Sequence, residues 1–110
     1  MTTAFRIGKG TMATASTNMD TAAVGEGKVR FVKAVTLCNV STAGDPIWAS
    51  VEFAGTSVIN KYILAAPGGE NTITIPFFDQ VMSSGERITG VAEAASSVHF
   101  YVSGREIDVS

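Results

Sequence analysis

The stretch Pro67-Gly68-Gly69-Glu70, continued by Thr72-Ile73-Thr74-Ile75, Ser83-Ser84-Gly85-Glu86-Arg87-Ile88 and Val98-His99-Phe100-Tyr101-Val102-Ser103-Gly104-Arg105-Glu106-Ile107, decides the fold class. Turn-forming residues recur between runs in which apolar and polar side chains alternate. A period of two belongs to strands half-buried in a sheet, and turn signals between such runs specify an antiparallel all-β chain. Pro67 presets φ in the first turn, and Gly68 or Gly69 supplies the positive φ that a type II turn needs. Ile73, Ile75 and Phe77 then share one face, as do Val98, Phe100 and Val102 in the last strand. Gly104 marks a bulge or a close approach of backbones near that strand's end.

The same reading extends towards the amino terminus. Residues 47–54 and 57–66 alternate and are joined by a tight Gly55-Thr56 link, which predicts a hairpin. Residues 28–40 (KVRFVKAVTLCNV) form the longest strand, and both its faces turn apolar after Lys33, as in a central strand. Asn39 to Pro46 is a turn cluster. Pro76 marks an edge strand, and residues 78–82 read as a short crossing or a single helical turn. Residues 2–7 predict a first strand ended by Gly8-Lys9-Gly10. Residues 11–23, rich in Thr, Ala, Ser and Met, fit a loose edge strand, a helical turn begun at Asn18 or Asp20, an arm on a neighbour, or an irregular loop. The expectation is an antiparallel β-sandwich of seven to eight strands, Greek-key or jelly-roll-like. It is organised as an N-terminal strand or arm (1–25) and a sandwich (26–110) within one domain.

Composition narrows the function. Of 110 residues only 16% are charged and 45% are hydrophobic, against about 25% charged in an ordinary globular chain. So little charge leaves apolar surface outside, which predicts contact with other chains. The net charge is −2, and the only basic cluster, Lys28, Arg30 and Lys33, has Glu26 beside it. A nucleic-acid binder needs a basic face to displace counterions, so no nucleic-acid partner is expected. The start lacks the charged region and apolar run of a signal peptide, and no run reaches about 20 apolar residues. Synthesis in a cytosol, without a membrane anchor, is expected.

Catalytic patterns fail on the residues themselves. Cys38 is the only cysteine and His99 the only histidine, which excludes an intrachain disulfide and most zinc sets. Cys38 is expected as a small buried hydrophobe, and His99 on the outward set of the last strand. No Gly-x-Ser-x-Gly elbow is present, and Gly68-Gly69 lacks the helix and Lys-Ser/Thr of a phosphate loop. No enzymatic activity, cofactor or metal is expected. Trp48 and Tyr101 point outward, either to stack on sugar rings or to be buried against another subunit.

The strand from Val29 to Asn39 entering Val40-Ser41-Thr42, the turns at Ala66-Pro67-Gly68-Gly69-Glu70 and Ser84-Gly85-Glu86-Arg87-Ile88, and the ending Val102-Ser103-Gly104-Arg105-Glu106-Ile107 carry a resemblance. Together they resemble the small β-sandwich virion proteins of tailed bacteriophages, most of all capsid decoration (cement) proteins. The resemblance implies a non-enzymatic structural protein of the virion, made in the host bacterial cytoplasm. It also implies a homo-oligomer, a dimer or trimer, whose partner is the major capsid protein or another virion protein. A tail, neck or fibre component shares the pattern, and a carbohydrate-binding β-sandwich module is the alternative from another class. The candidate interface residues are Phe5, Met12 and Met19 on the N-terminal segment, with Trp48 and Tyr101 on the outward sets.

Overall fold

Eight strands build two four-stranded sheets in the computed structural model, which describes residues 3–108, with backbone alone at 3–5, 78 and 79. In chain order they are β1 (Thr3–Thr11), β2 (Thr17–Asn18), β3 (Lys28–Asn39), β4 (Ile47–Phe53), β5 (Thr56–Leu64), β6 (Thr72–Met82), β7 (Ile88–Ala92) and β8 (Val98–Asp108). The first sheet has the order β1-β8-β3-β6 and the second β2-β7-β4-β5, with antiparallel pairing throughout. Strand 1 pairs with 8, 2 with 7, 3 with 6 and 4 with 5. This nesting is a jelly roll, two Greek keys folded over one core.

The core lies between the sheets. Val32, Val35, Leu37 and Val102 come from the first sheet; Ala49, Val51, Ile88 and Ala92 come from the second. β3 is central, between β8 and β6, as its doubly apolar pattern predicts. Its pairing slips between Val32 and Ala34. Arg30 and Val32 point inward before the slip, and Val35, Leu37 and Asn39 after it. One extra residue therefore moves the inward set from even to odd numbers. Cys38 is placed by this shift on the outer face, half-buried, where it accepts a hydrogen bond from Thr72 Oγ1 at 3.2 Å. The expectation of a core cysteine is corrected accordingly.

Two strand boundaries also differ from the sequence reading. Residues 78–82 are neither a crossing nor a helical turn but part of β6. Val32 faces Gln80 and Ala34 faces Pro76, so residues 77–79 of β6 bulge opposite Lys33 alone. That excess interrupts the alternation on which the reading relied. β6 is nevertheless an edge strand, as Pro76 predicts. The Gly8-Lys9-Gly10 stretch does not end β1, which continues to Thr11 past a slip between Arg6 and Gly8. Gly8 is there for close approach, because a Cβ at this position would overlap the Met19 carbonyl oxygen.

The turns follow their chemistry. The Gly69 N–H donates to the Ala66 carbonyl at 3.2 Å with Gly68 at φ +102°, and the Glu86 N–H donates to Ser83 at 3.1 Å with Gly85 at φ +85°. Both have the type II signature. The Asn39 side chain ties the end of β3 to the loop after it and to the end of β5. Its Nδ2 donates to the carbonyls of Asp45 (2.9 Å) and Ala65 (3.0 Å), and its Oδ1 accepts from the Ser41 N–H (2.9 Å).

The β4–β5 hairpin turns on Ala54 (φ +53°) and Gly55 (φ +80°), between the facing residues Phe53 and Thr56. Positive φ at both central positions defines type I′, which favours Asn-Gly. Alanine bears a steric cost there that asparagine relieves. Ala54→Asn is expected to stabilise the chain by about 0.5–1 kcal/mol, read as a higher urea midpoint with an unchanged slope.

Candidate functional site

The residues expected at an interface divide into three groups. Met12 and Met19 are each 2% exposed and lie in the core of their own chain. This corrects their assignment to a docking arm. Residues 12–24 fold along the β1–β2 side of the sandwich and close it with Met12, Met19 and Val24. The two methionines fill the space above Gly90, where a Cβ would overlap Met19 Sδ and approach Met12 Cε to 2.7 Å. Flexible, unbranched thioethers suit such an irregular gap. The backbone of Phe5 belongs to β1, but its side chain lies outside the described residues.

Trp48 and Tyr101 do face outward. Trp48 is half-buried on the outer face of the second sheet, with Lys61 Nζ 5.2 Å from its ring centroid and Ile63 directly across on β5. Tyr101, 46% exposed, lies on the outer face of the first sheet between Lys9 of β1 and Thr36 of β3. The two rings therefore occupy opposite faces and do not form one stacking platform. His99 is exposed next to Tyr101's row, directly across from Cys38. Among the described residues there is no cluster of three or more His, Cys, Asp or Glu side chains able to hold a metal ion.

Among the described residues the most exposed large apolar one, Ile63 at 69%, is absent from the sequence-based set, as are Val81, Tyr62 and Val58. Lys61 explains the omission for β5. It adopts φ +49°, and the pairing with β4 slips between Ala49 and Val51. Ile59 and Leu64, five positions apart, consequently both point inward. Simple alternation could not assign Ile63 to the surface.

An ionic cluster holds the N-terminal segment to both sheets. Asp20, whose side chain is 0% exposed, accepts hydrogen bonds from Arg30 Nη1 (2.9 Å), Arg87 Nε (3.0 Å) and the Ile88 N–H (2.9 Å). Arg30 is equally enclosed; its Nη2 lies 2.8 Å from the Glu106 carboxylate and donates to the Ala22 carbonyl at 2.9 Å. Arg30 and Glu106 belong to the first sheet, Arg87 leads into β7 of the second, and Asp20 joins them. Buried charges of this kind persist only when paired and fully hydrogen-bonded. The cluster serves the fold, with no open space for a substrate around its carboxylate. At the surface, Lys28 Nζ lies 2.7 Å from Asp108 Oδ1. That hydrogen bond, with the attraction between the charges, lowers the Asp108 pKa and raises that of Lys28.

Shallow hollows lie on either flank of the first sheet. One, of about 350 Å³, lies at the β1–β8 edge and is lined by Lys9, Gly10, Thr11, His99, Phe100 and Tyr101. The other, of about 370 Å³, lies where β5 meets β6, with Tyr62, Ile63, Leu64, Glu70, Thr72 and Ile73 among its walls.

A jelly-roll sandwich with apolar residues left on its outside is the class of protein that fold and surface define. No protein-family model matches the sequence, and no curated protein matches it by sequence. Solved structures do match in fold. A chain of the acid-stable capsid of Helicobacter pylori bacteriophage KHP30 is 16% identical, with a TM-score of 0.56 over 100% of this chain and 95% of that one. A chain of the Bacillus endospore appendages, disulfide-linked pili, is 16% identical, with a TM-score of 0.53 over 100% and 88%. The Drosophila NLP core, described in terms of pentamer formation and histone binding, is 16% identical, with a TM-score of 0.51 over 94% and 100%. At such identity the likeness is one of fold.

Proposed function

We propose that this chain is a non-enzymatic structural protein of a bacteriophage particle. More narrowly, we read it as a capsid decoration protein that binds the major capsid protein or another virion protein and strengthens the shell. The observation that carries the reading is the apolar exterior: Ile63, Tyr62 and Val58 exposed along β5 beside half-buried Trp48, with Val81 exposed on β6. Covering apolar surface returns roughly 25 cal/mol per Å², and a lattice repeats each small contact many times over. A phage capsid chain sharing this fold along nearly its whole length is consistent with the role.

Quantitative mass spectrometry of purified particles of the encoding phage tests the reading. The chain is expected in proportion to the major capsid protein, and particles lacking it are expected to release DNA at a lower temperature. A handful of copies per particle would assign it to the tail or neck instead. Its absence from particles would overturn the proposal.

A further inference from the structure

We propose that copies of this chain associate head to tail, the β5–β6 side of one copy docking on the β1–β8 edge of the next. The inference deepens the structural reading above and rests on it for its purpose, though not for its test. It starts from the two hollows. Thr11 faces His99, His99 faces Cys38, and Cys38 faces Thr72 across the first sheet. Thr11 and His99 line one hollow and Thr72 the other. Both therefore sit on a single transverse row, three strand spacings or about 14 Å apart, at opposite lateral edges. A neighbour displaced sideways along this row brings unlike hollows together.

The two edges carry opposite charges at one position each, and one of them carries a projecting apolar side chain. The β1 edge carries Lys9, with Arg6 exposed on the same strand, while the β5–β6 hollow carries Glu70. Neither Lys9 nor Glu70 forms an ion pair among the described residues. Ile63 projects beside Glu70. The hollow around Lys9 offers Phe100 and Tyr101, and Gly10 places no Cβ over the Phe100 ring, where one would stand 3.4 Å away. Docked head to tail, Ile63 covers that aromatic surface while Glu70 meets Lys9.

The finish of the two sides points the same way. Residues 12–24 seal the β1–β2 side, whereas Ile73, Ile75 and Phe77 stay only partly buried along β6. Pairing the β1 edge with its own copy would set Lys9 and Arg6 against the same basic side chains, and like charges across an interface are unfavourable. Unlike surfaces in contact form a heterologous interface, which closes into a ring or runs on as a filament.

Light scattering coupled to size exclusion, over a dilution series of the full chain, tests the inference. The wild type is expected at a multiple of its 11.5 kDa mass, falling as salt screens the pair. Lys9→Glu and Glu70→Lys are each expected to give the monomer mass, and the double reversal to restore the assembly. Ile63→Asp is expected to be monomeric without rescue by charge reversal. All three positions of change are on the surface, and circular dichroism checks that each variant is folded. A wild type that stays monomeric, single reversals that leave the mass unchanged, or a double reversal that fails to restore it would each overturn the inference. The copy-number measurement on particles is independent of these outcomes and judges the virion reading separately.

Discussion

Asp20→Ala is expected to lower the unfolding free energy by about 3–5 kcal/mol, a large share of the roughly 5–15 kcal/mol that a domain holds in total. The carboxylate has no exposed surface and accepts from Arg30, Arg87 and the Ile88 N–H. Truncating it takes one of the two carboxylates from the guanidinium of Arg30, which is 3% exposed and keeps Glu106, and leaves the Ile88 N–H without its acceptor. The desolvation already suffered by that charge is then only partly compensated, by Glu106 and the Ala22 carbonyl. Urea unfolding followed by Trp48 fluorescence measures the loss. Asp20→Leu combined with Arg30→Met removes both enclosed charges and is expected to be less damaging than Asp20→Ala, because the ions left behind, Glu106 and Arg87, are 20% and 36% exposed and reach water. A midpoint for Asp20→Ala equal to that of the wild type would show that the cluster contributes nothing.

The same cluster makes the N-terminal segment part of the fold. Removing residues 1–23 takes away β1, the methionines that cover Gly90, and Asp20 itself. Lost capsid binding in such a truncation would report a broken sandwich. Surface substitutions such as Ile63→Asp leave the core intact and separate docking from folding.

Local chemistry was legible in the sequence wherever one residue type answered one backbone requirement. Gly68 and Gly85 occupy the positive-φ positions of their turns, Pro76 lies on an edge, and the doubly apolar run after Lys33 belongs to a central strand. Legibility failed at the bulges. Extra residues at Lys33, at 77–79 and at Lys61 each reversed the inward set, sending Cys38 and Ile63 outward against simple alternation. The ionic cluster was hidden for another reason. Asp20 stands in a Thr- and Ala-rich stretch, and its partners lie 10 and 67 positions away. Only the jelly-roll path brings those three together. Met12 and Met19 resembled surface residues because the gap they fill is made by Gly90, distant in sequence.

Gly104→Ala is expected to cost about 3 kcal/mol or more, at the upper end of what overpacking usually does. Gly104 is buried in β8, facing Phe5 of β1 on one side and Val32 of β3 on the other. A Cβ there would overlap the Phe31 carbonyl oxygen and stand 2.7 Å from Ile7 Cδ1. The isoleucine tip can rotate away, but the carbonyl is fixed by the ladder of a central strand beside the Val32–Ala34 slip. Moving it breaks hydrogen bonds on both sides of β3. Adding Ile7→Val to Gly104→Ala should therefore recover little of the loss. Gly90→Ala provides the contrast, since the atoms nearest its new Cβ belong to the flexible side chains of Met12 and Met19 and not to backbone, and these can give way at about 1 kcal/mol. Urea midpoints of the three variants decide the matter. Equal losses at Gly104 and Gly90 would mean that the backbone at the β3 slip yields as readily as a methionine, and that close approach is not what keeps glycine at position 104.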